Sequence, residues 1–339
     1  MDTDKTEEYS PDLFFINKFK VNFIREREAY IGTNQVKGDV VTEILKQIIP
    51  KEDLITLLEL AAYCMWRGYP YPKMFTLYGN GRNGKSAYYS LLVRIFGMKN
   101  ISVVSSSNLQ YNRFAPGQLY GKLLNVTSEM EYEDLKKTSL LKQLTGGDPL
   151  SCERKFKREF LFRNYAKQIF ITNSIPETSD KTDAFYSRPF LVEFPRRFEE
   201  GVNAETDIFN KLAEDEIEGF ARGLINILND LKTRNPTEFV FTNHKNIEES
   251  REEYERLSTP LAQYLKDNTL KDVNGLIYKA DLFQKYMQFI NDKGGRRYSD
   301  RMLSEKMKGL GYASSTRNER QRSAWEGIKW KDENPGLFD

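Results

Sequence analysis

The octapeptide Gly79-Asn80-Gly81-Arg82-Asn83-Gly84-Lys85-Ser86 fits G-x-x-x-x-G-K-[ST] at every defined position, and no other feature constrains the chain as strongly. Such a loop needs a strand to enter it and a helix to leave it. Both are written in the flanks: Met-Phe-Thr-Leu-Tyr at 74–78 is a buried-strand sequence, and 87–96, stopped by Gly97, reads as the helix. Glycines let the backbone curl so that successive N–H groups face phosphate oxygens, and the helix N-terminus adds its partial positive charge. In this reading residues 79–86 cradle the phosphates of a nucleotide. Lys85 bridges the β- and γ-phosphates and the Ser86 hydroxyl ligates Mg²⁺, and by itself the loop leaves kinase, GTPase and motor ATPase open.

Around this loop the pattern is that of an α/β protein. Strand-like runs at 74–78, 101–104, 123–127, 168–172 and 190–194 recur at intervals too long for hairpins and suited to crossovers, which predicts a mainly parallel five-stranded sheet. Before it, Val41, Ile44, Leu45 and Ile48, then Leu54, Leu57, Leu58, Ala61 and Met65 after Pro50, predict a helical N-terminal region, 1–70. The nucleotide-binding core is expected over 71–235, closed by an amphipathic helix carrying Ile217, Phe220, Leu224, Ile227, Leu228 and Leu231. A charged helical linker, 236–258, leads to a last domain, 259–339. There Leu282 to Ile290 form one helix, Ser299 caps a second, and two β-like runs flank a basic tip around Arg317 and Arg320, which predicts a winged-helix-like fold.

Composition removes other chemistries. The 339 residues hold a single histidine, His244, in a polar loop-like stretch, and two distant cysteines, Cys64 and Cys152, too few for zinc fingers, redox pairs or a disulfide framework. No apolar run approaches the roughly 20 residues that span a bilayer, and the N-terminus is too polar for a signal peptide, so a cytoplasmic protein without membrane contact is expected. Formal charge is only +2, yet it is unevenly placed. Between 152 and 168 six basic residues face Glu153 and Glu159, and between 293 and 331 eleven face Asp300, Glu305, Glu319 and Glu326. Eight carboxylates against Lys211 occupy 199–218. Basic blocks of this kind mark candidate nucleic-acid surfaces.

A phosphate loop needs an acidic partner. The strand at 123–127 delivers Glu129 to the carboxyl end of the sheet, where it can polarise water or hold the hydrated Mg²⁺, with Glu131 in reserve. The strand at 168–172 ends in Asn173, whose amide can orient that water.

In order, Gly-Asn-Gly-Arg-Asn-Gly-Lys-Ser, Ser128-Glu129, Leu141-Lys142-Gln143-Leu144-Thr145-Gly146-Gly147-Asp148 and Phe170-Ile171-Thr172-Asn173-Ser174-Ile175-Pro176 resemble the superfamily 3 helicases, in particular the phage and plasmid primase-helicases and the poxvirus helicase-primase. The resemblance covers roughly 40–198 well. It implies an AAA+ P-loop NTPase core that assembles as a ring, usually a hexamer, with ATP at each subunit interface. Residues 79–86 then correspond to Walker A, Glu129 to Walker B and Mg²⁺ binding, and Asn173 to the sensor asparagine. Arg154, Lys155, Phe156 and Lys157 correspond to a hairpin that grips DNA in the channel, a mixture of cations and an aromatic suited to single strands. Arg188 corresponds to the arginine finger, with the Arg196-Arg197 pair as the alternative. The resemblance thus implies an ATP-dependent DNA helicase of phage or plasmid replication acting on single-stranded and forked DNA, with a primase-polymerase as a possible companion. Two other readings stay open: an AAA+ initiator or loader that remodels DNA without processive unwinding, and a winged-helix DNA-binding module with a regulatory nucleotide site.

Overall fold

The structure is a computed structural model, and it describes residues 17–21, 39–79, 81–128, 135, 138–153, 158–199, 202–235, 238–258, 260–292, 298–317 and 322–331. The chain divides into two compact units, Met1–Arg251 and Glu252–Asp339.

The first unit is built on five parallel strands, β1 (Met74–Tyr78), β2 (Ile101–Ser102), β3 (Leu124–Ser128), β6 (Lys167–Thr172) and β7 (Pro189–Glu193), in the order β2-β3-β6-β1-β7. All five fall where the sequence places them, although β2 ends at Ser102 rather than at 104. β1 is buried at every position, as a central parallel strand covered on both faces must be. Helices α1 (Asp39–Ile48), α2 (Lys51–Cys64), α3 (Lys85–Phe96) and α7 (Glu214–Thr233) share one apolar core with the sheet. The buried residues of α7, Ile217, Phe220, Leu224, Leu228 and Leu231, recur at helical spacing, and Glu214 in its acidic first turn pairs with Arg94 of α3 at 2.7 Å.

Shorter helices, α4 (Ser106–Tyr111), α5 (Ser139–Gly146) and α6 (Asp183–Tyr186), connect the strands. A two-stranded antiparallel hairpin that the periodicity does not reveal, β4 (Pro149–Cys152) with β5 (Phe160–Arg163), is inserted between α5 and β6. Its inner face carries Leu150, Cys152 and Phe162. His244 lies in a loop as expected, but it is fixed there, its Nδ1 sharing a 2.8 Å hydrogen bond with the Tyr71 hydroxyl.

The second unit begins within helix α8 (Ile247–Ser258) and continues α9 (Pro260–Asn268), β8 (Thr269–Tyr278), α10 (Lys279–Asp292), α11 (Asp300–Gly309), β9 (Ser314–Arg317) and β10 (Arg322–Trp330). The three strands form an antiparallel sheet in the order β8-β10-β9, over a core that includes Leu261, Ile277, Leu282, Tyr286, Leu303, Met307 and Trp325. Ser299 caps α11 by accepting a hydrogen bond from the Met302 amide. No helix among the described residues is long and apolar enough to cross a membrane.

One buried cation ties the first unit together at the amino end of its sheet. Lys167, at the start of β6 and fully buried, donates to the carbonyls of Trp66, Gly68 (2.8 Å) and Tyr165 (3.1 Å), and its ammonium lies 4.5 Å from the Tyr63 ring. Burial pushes its pKa down to about 7. Lys167→Met strands three carbonyls and should destabilise the fold by about 2 kcal/mol at pH 7 in urea unfolding. Because the unfolded lysine keeps the proton that the folded one gives up, the wild-type advantage should grow between pH 7 and 9.5; a difference that stays constant with pH contradicts this role.

Candidate functional site at the carboxyl end of the sheet

β1 ends in a loop that only glycine-rich sequence can follow. Gly79, Gly81 and Gly84 have φ of 154°, 78° and 91°, and Arg82 is held at 47°, an uncommon conformation for a residue with a side chain. Space is as restrictive as torsion here. A Cβ on Gly79 would collide with the Asn83 amide and the Phe194 carbonyl, and one on Gly84 with the side chain of Ile48, the last residue of α1. The loop runs directly into α3, whose N-cap is Gly84 with no side-chain cap, so the first-turn N–H groups keep their capacity to bind an anion.

Lys85 lies inside the curl. Its Nζ donates to the Gly79 carbonyl at 2.7 Å, to Asn83 Oδ1 at 3.0 Å and, at 3.4 Å, to Oδ1 of Asn173, which follows the end of neighbouring β6. Burial lowers its pKa to about 8. Asn83 in turn donates to the Phe194 carbonyl at 3.0 Å. Lys85, Asn83, Gly79 and Asn173 are therefore brought together, at the carboxyl ends of paired strands, where Tyr78 of β1 stands beside Thr172 of β6. Ser86 is exposed at the start of α3 and no described residue engages its hydroxyl. Asn80, Glu129, Glu131, Arg154, Lys155, Phe156 and Lys157 lie outside the described residues; the described part of β3 ends at Ser128, beside Ile171 of β6.

Arg188 is not part of this group. It follows α6 and precedes β7, and its carbonyl accepts from the amide of Met74, the first residue of β1. One full strand, about 16 Å at 3.3 Å per residue, separates it from the loop of its own chain. Its Nη1 donates to Ala184 O and Ser187 Oγ, both at 2.8 Å, while its buried Nε has no hydrogen-bond partner among the described residues. Burial lowers the pKa of the guanidinium and the charge of Asp148 partly offsets that shift. Lys73 stands close enough to feel it: burial, then repulsion by Arg188, brings the amine down to about 8. Arg196 is committed differently, its Nη1 donating to the carbonyls of Lys46 and Gln47 at the end of α1.

A polar cluster that sequence patterns do not advertise joins the loop after Asn173 to α5. The Asp180 carboxylate accepts from Thr138 Oγ1, from Lys142 Nζ at 2.8 Å, and from the Thr182 amide and hydroxyl at 3.0 and 2.6 Å. Burial would raise its pKa, but these donors outweigh burial and hold the group well below the usual carboxylate range.

Residues 77–188, from the end of β1 to Arg188, match the model of DUF5906, a family of unknown function. No curated protein matches the sequence. Among solved structures, two apo structures of the C-terminal region of NrS-1 are similar to this chain. One has 18% identity and a TM-score of 0.46 over 88% of this chain and 78% of that one; the other has 16% identity and a TM-score of 0.48 over 88% and 77%.

Asp180→Asn should cost about 2 kcal/mol at pH 7, since the amide cannot hold a lysine and three further donors as the carboxylate does. The depressed pKa fixes the sign. The carboxylate stabilises the fold fully above the unfolded value near 4, and that contribution is lost as pH falls below it. The gap between wild-type and variant thermal midpoints should therefore narrow from pH 5 to pH 3, and a gap independent of pH refutes the assignment.

Proposed function

We propose that this chain is an ATP-dependent DNA helicase of phage or plasmid replication, an AAA+ motor of the superfamily 3 kind working as a ring of identical copies on single-stranded DNA. The observation that carries the reading is the arrangement of Lys85. A desolvated ammonium, held among the described residues by neutral oxygens of Gly79, Asn83 and Asn173, lies at the mouth of an uncapped helix and at the carboxyl ends of two parallel strands. Phosphates are the ligand class that satisfies both the cation and the free N–H groups.

The chain's own residues then divide the work. The backbone of 79–84 and the first turn of α3 bind the phosphates. Lys85 leaves Asn83 and Gly79 to neutralise the β- and γ-oxygens, and Asn173, released from Lys85, orients water beside them. The exposed Ser86 hydroxyl fits a Mg²⁺ ligand, with Glu129 as its acidic companion and the general base; when bound, the ion neutralises charge developing on the phosphates. Arg188 stands on the opposite edge of the sheet, beyond reach of its own loop, so it serves the site of a neighbouring copy as the arginine finger. The segment 154–157, on the connection of the β4–β5 hairpin, supplies Arg154, Lys155, Phe156 and Lys157 to the DNA strand. In the second unit the succession α9-β8-α10-α11-β9-β10 with its antiparallel sheet is read as a winged helix, in which α11 and the β9–β10 pair face duplex DNA.

DNA-stimulated ATP turnover together with strand displacement on a forked duplex tests this function. Turnover without displacement would instead mark a loader or initiator, and no turnover at all a regulatory nucleotide site. Lys85→Ala should abolish hydrolysis with the fold intact, and its effect is linked to pH. Free Lys85 gives up its proton near pH 8, whereas a bound phosphate retains it, so affinity for a non-hydrolysable ATP analogue should fall as pH rises from 8 to 9.5, by up to about tenfold per unit. Calorimetric titration should show that slope in the wild type and none in Lys85→Ala. For Arg188, a mixture of Arg188→Ala and Lys85→Ala subunits should recover part of the turnover that each lacks alone, since mixed interfaces contain one intact pair. Complete silence of the mixture excludes action in trans.

A further inference from the structure

The segment after β7 is attached to the phosphate loop at two points. At its start the Phe194 amide donates to Tyr78 O at 2.8 Å and the Phe194 carbonyl accepts from Asn83 Nδ2 at 3.0 Å. At its end the Phe198 amide donates to Arg82 O at 2.7 Å. On the other side of the loop stands the C-terminus of α1, with Ile48 against Gly84 so closely that a Cβ there would collide with it. The loop is thus held between α1 and residues 194–198, and Arg196 joins those two supports to one another by hydrogen bonds. Its Nη1 donates to Lys46 O at 2.9 Å and to Gln47 O at 2.6 Å. Carbonyls of a last helical turn lack intrahelical partners and carry the negative end of the macrodipole, so a guanidinium is well suited to bind them.

We propose that Arg196 is a positioning residue for nucleotide binding, fastening α1 to residues 194–198 so that the loop keeps the shape that receives phosphates. The proposal rests on reading residues 79–86 as a nucleotide site. The loop torsion φ of 47° at Arg82 is unfavourable for a residue with a side chain unless neighbours impose it. With Arg196 removed, the end of α1 can withdraw from Gly84, and part of the binding free energy must then reshape the loop. The loss falls on affinity rather than on the chemical step, because the hydrogen bonds of Arg196 go to backbone carbonyls of α1. The same contacts commit Arg196 to its own subunit, on the edge of the sheet that carries its own loop.

Wild type, Arg196→Ala and Arg196→Lys decide the matter in two measurements. In ATP turnover, Arg196→Ala should raise KM about threefold to tenfold, the range expected for a charge capping a helix end and its share of loop order, with kcat at saturating ATP within about twofold of wild type. Arg196→Lys should restore KM, since one ammonium can donate to both carbonyls. In hydrogen exchange of the nucleotide-free protein, amides of 81–84 and 198 should exchange faster in Arg196→Ala alone, with the rest of the protein unchanged. A fall in kcat by orders of magnitude that lysine does not rescue would identify Arg196 as a phosphate-contacting arginine instead. Unaltered KM and exchange would reduce its contacts to an idle surface cap. Should wild type bind no nucleotide, the reading of the loop fails, and the exchange experiment still decides whether Arg196 holds it.

Discussion

An ammonium taken out of water and held, among the described residues, by neutral oxygens is the constraint around which the first unit is arranged. Lys85 can occupy that place because β1 carries the chain through the middle of the sheet, the three positive-φ glycines turn it back, and α3 starts without a cap. Each of these is locally unfavourable. The glycines lose more chain entropy on folding than other residues would, the helix forgoes a capping bond worth about 1 kcal/mol, and the lysine surrenders hydration, which its lowered pKa records. Their common product is a pocket of donors and positive charge with no anion of the described chain inside it. That is a poor way to stabilise a protein and a good way to prepare it for a phosphate.

The second constraint is geometric. Parallel strands place every carboxyl end on one edge of the sheet and every amino end on the other, so Lys85, after β1, and Arg188, before β7, cannot meet within one chain. Arg188 and Lys73 accumulate on the amino edge, where mutual repulsion and burial lower the proton affinity of the amine and Asp148 supplies only partial relief to the guanidinium. A copy of the chain that brought its carboxyl edge against this one would join two incomplete sets, a phosphate cradle and a pair of cations. Under the proposed reading, the ring is the arrangement in which every copy does both.

How far the sequence discloses this depends on how each element is stabilised. The five core strands are legible because each carries apolar, β-prone residues bounded by turns, β1 being buried at every position, and α1 and α7 because they turn one apolar stripe inward. β8 is not, since most of its positions are at least partly exposed and its Lys-Asp-Val-Asn-Gly stretch resembles a turn. Cross-strand contacts hold it as a strand: Asp272 pairs with Lys329 at 2.7 Å, and Gly275 lets the backbone of Ile328 approach. The β4–β5 hairpin is hidden from periodicity by its brevity, four residues a side, and it is the family resemblance that places a hairpin around 154–157. At the site, the motif discloses Lys85, Asn83 and the glycines, and strand ends disclose Asn173. What it withholds is the support: Ile48, Phe194 and Arg196 act through packing and backbone groups, which leave no residue-type signature, and Asp180 reads as one more surface aspartate until Thr138 and Lys142 are seen to converge on it.

Those hidden contacts also link the hairpin to the loop that opens at Asn173. α5 spans about 12 Å and is fastened at both ends. Its first turn is bonded through Thr138 and Lys142 to Asp180, in the loop that begins at Asn173. Toward its other end, Gln143 Nε2 donates to Pro149 O at 3.0 Å, Arg163 Nη1 to Gly147 O at 2.8 Å, and Asn164 Nδ2 to Leu144 O at 2.9 Å, so both strands of the hairpin or their flanks are bonded to it. A helix is stiff over this length, and a displacement that keeps these bonds is therefore shared by all three pieces. Under the proposed reading, a phosphate that takes the place of the Asn173 oxygen at Lys85 acts on the loop that Asn173 opens, and α5 is the stiff link from that loop to the hairpin. No chain of intermediate side-chain rearrangements is needed, because the hydrogen bonds are already in place in the free protein.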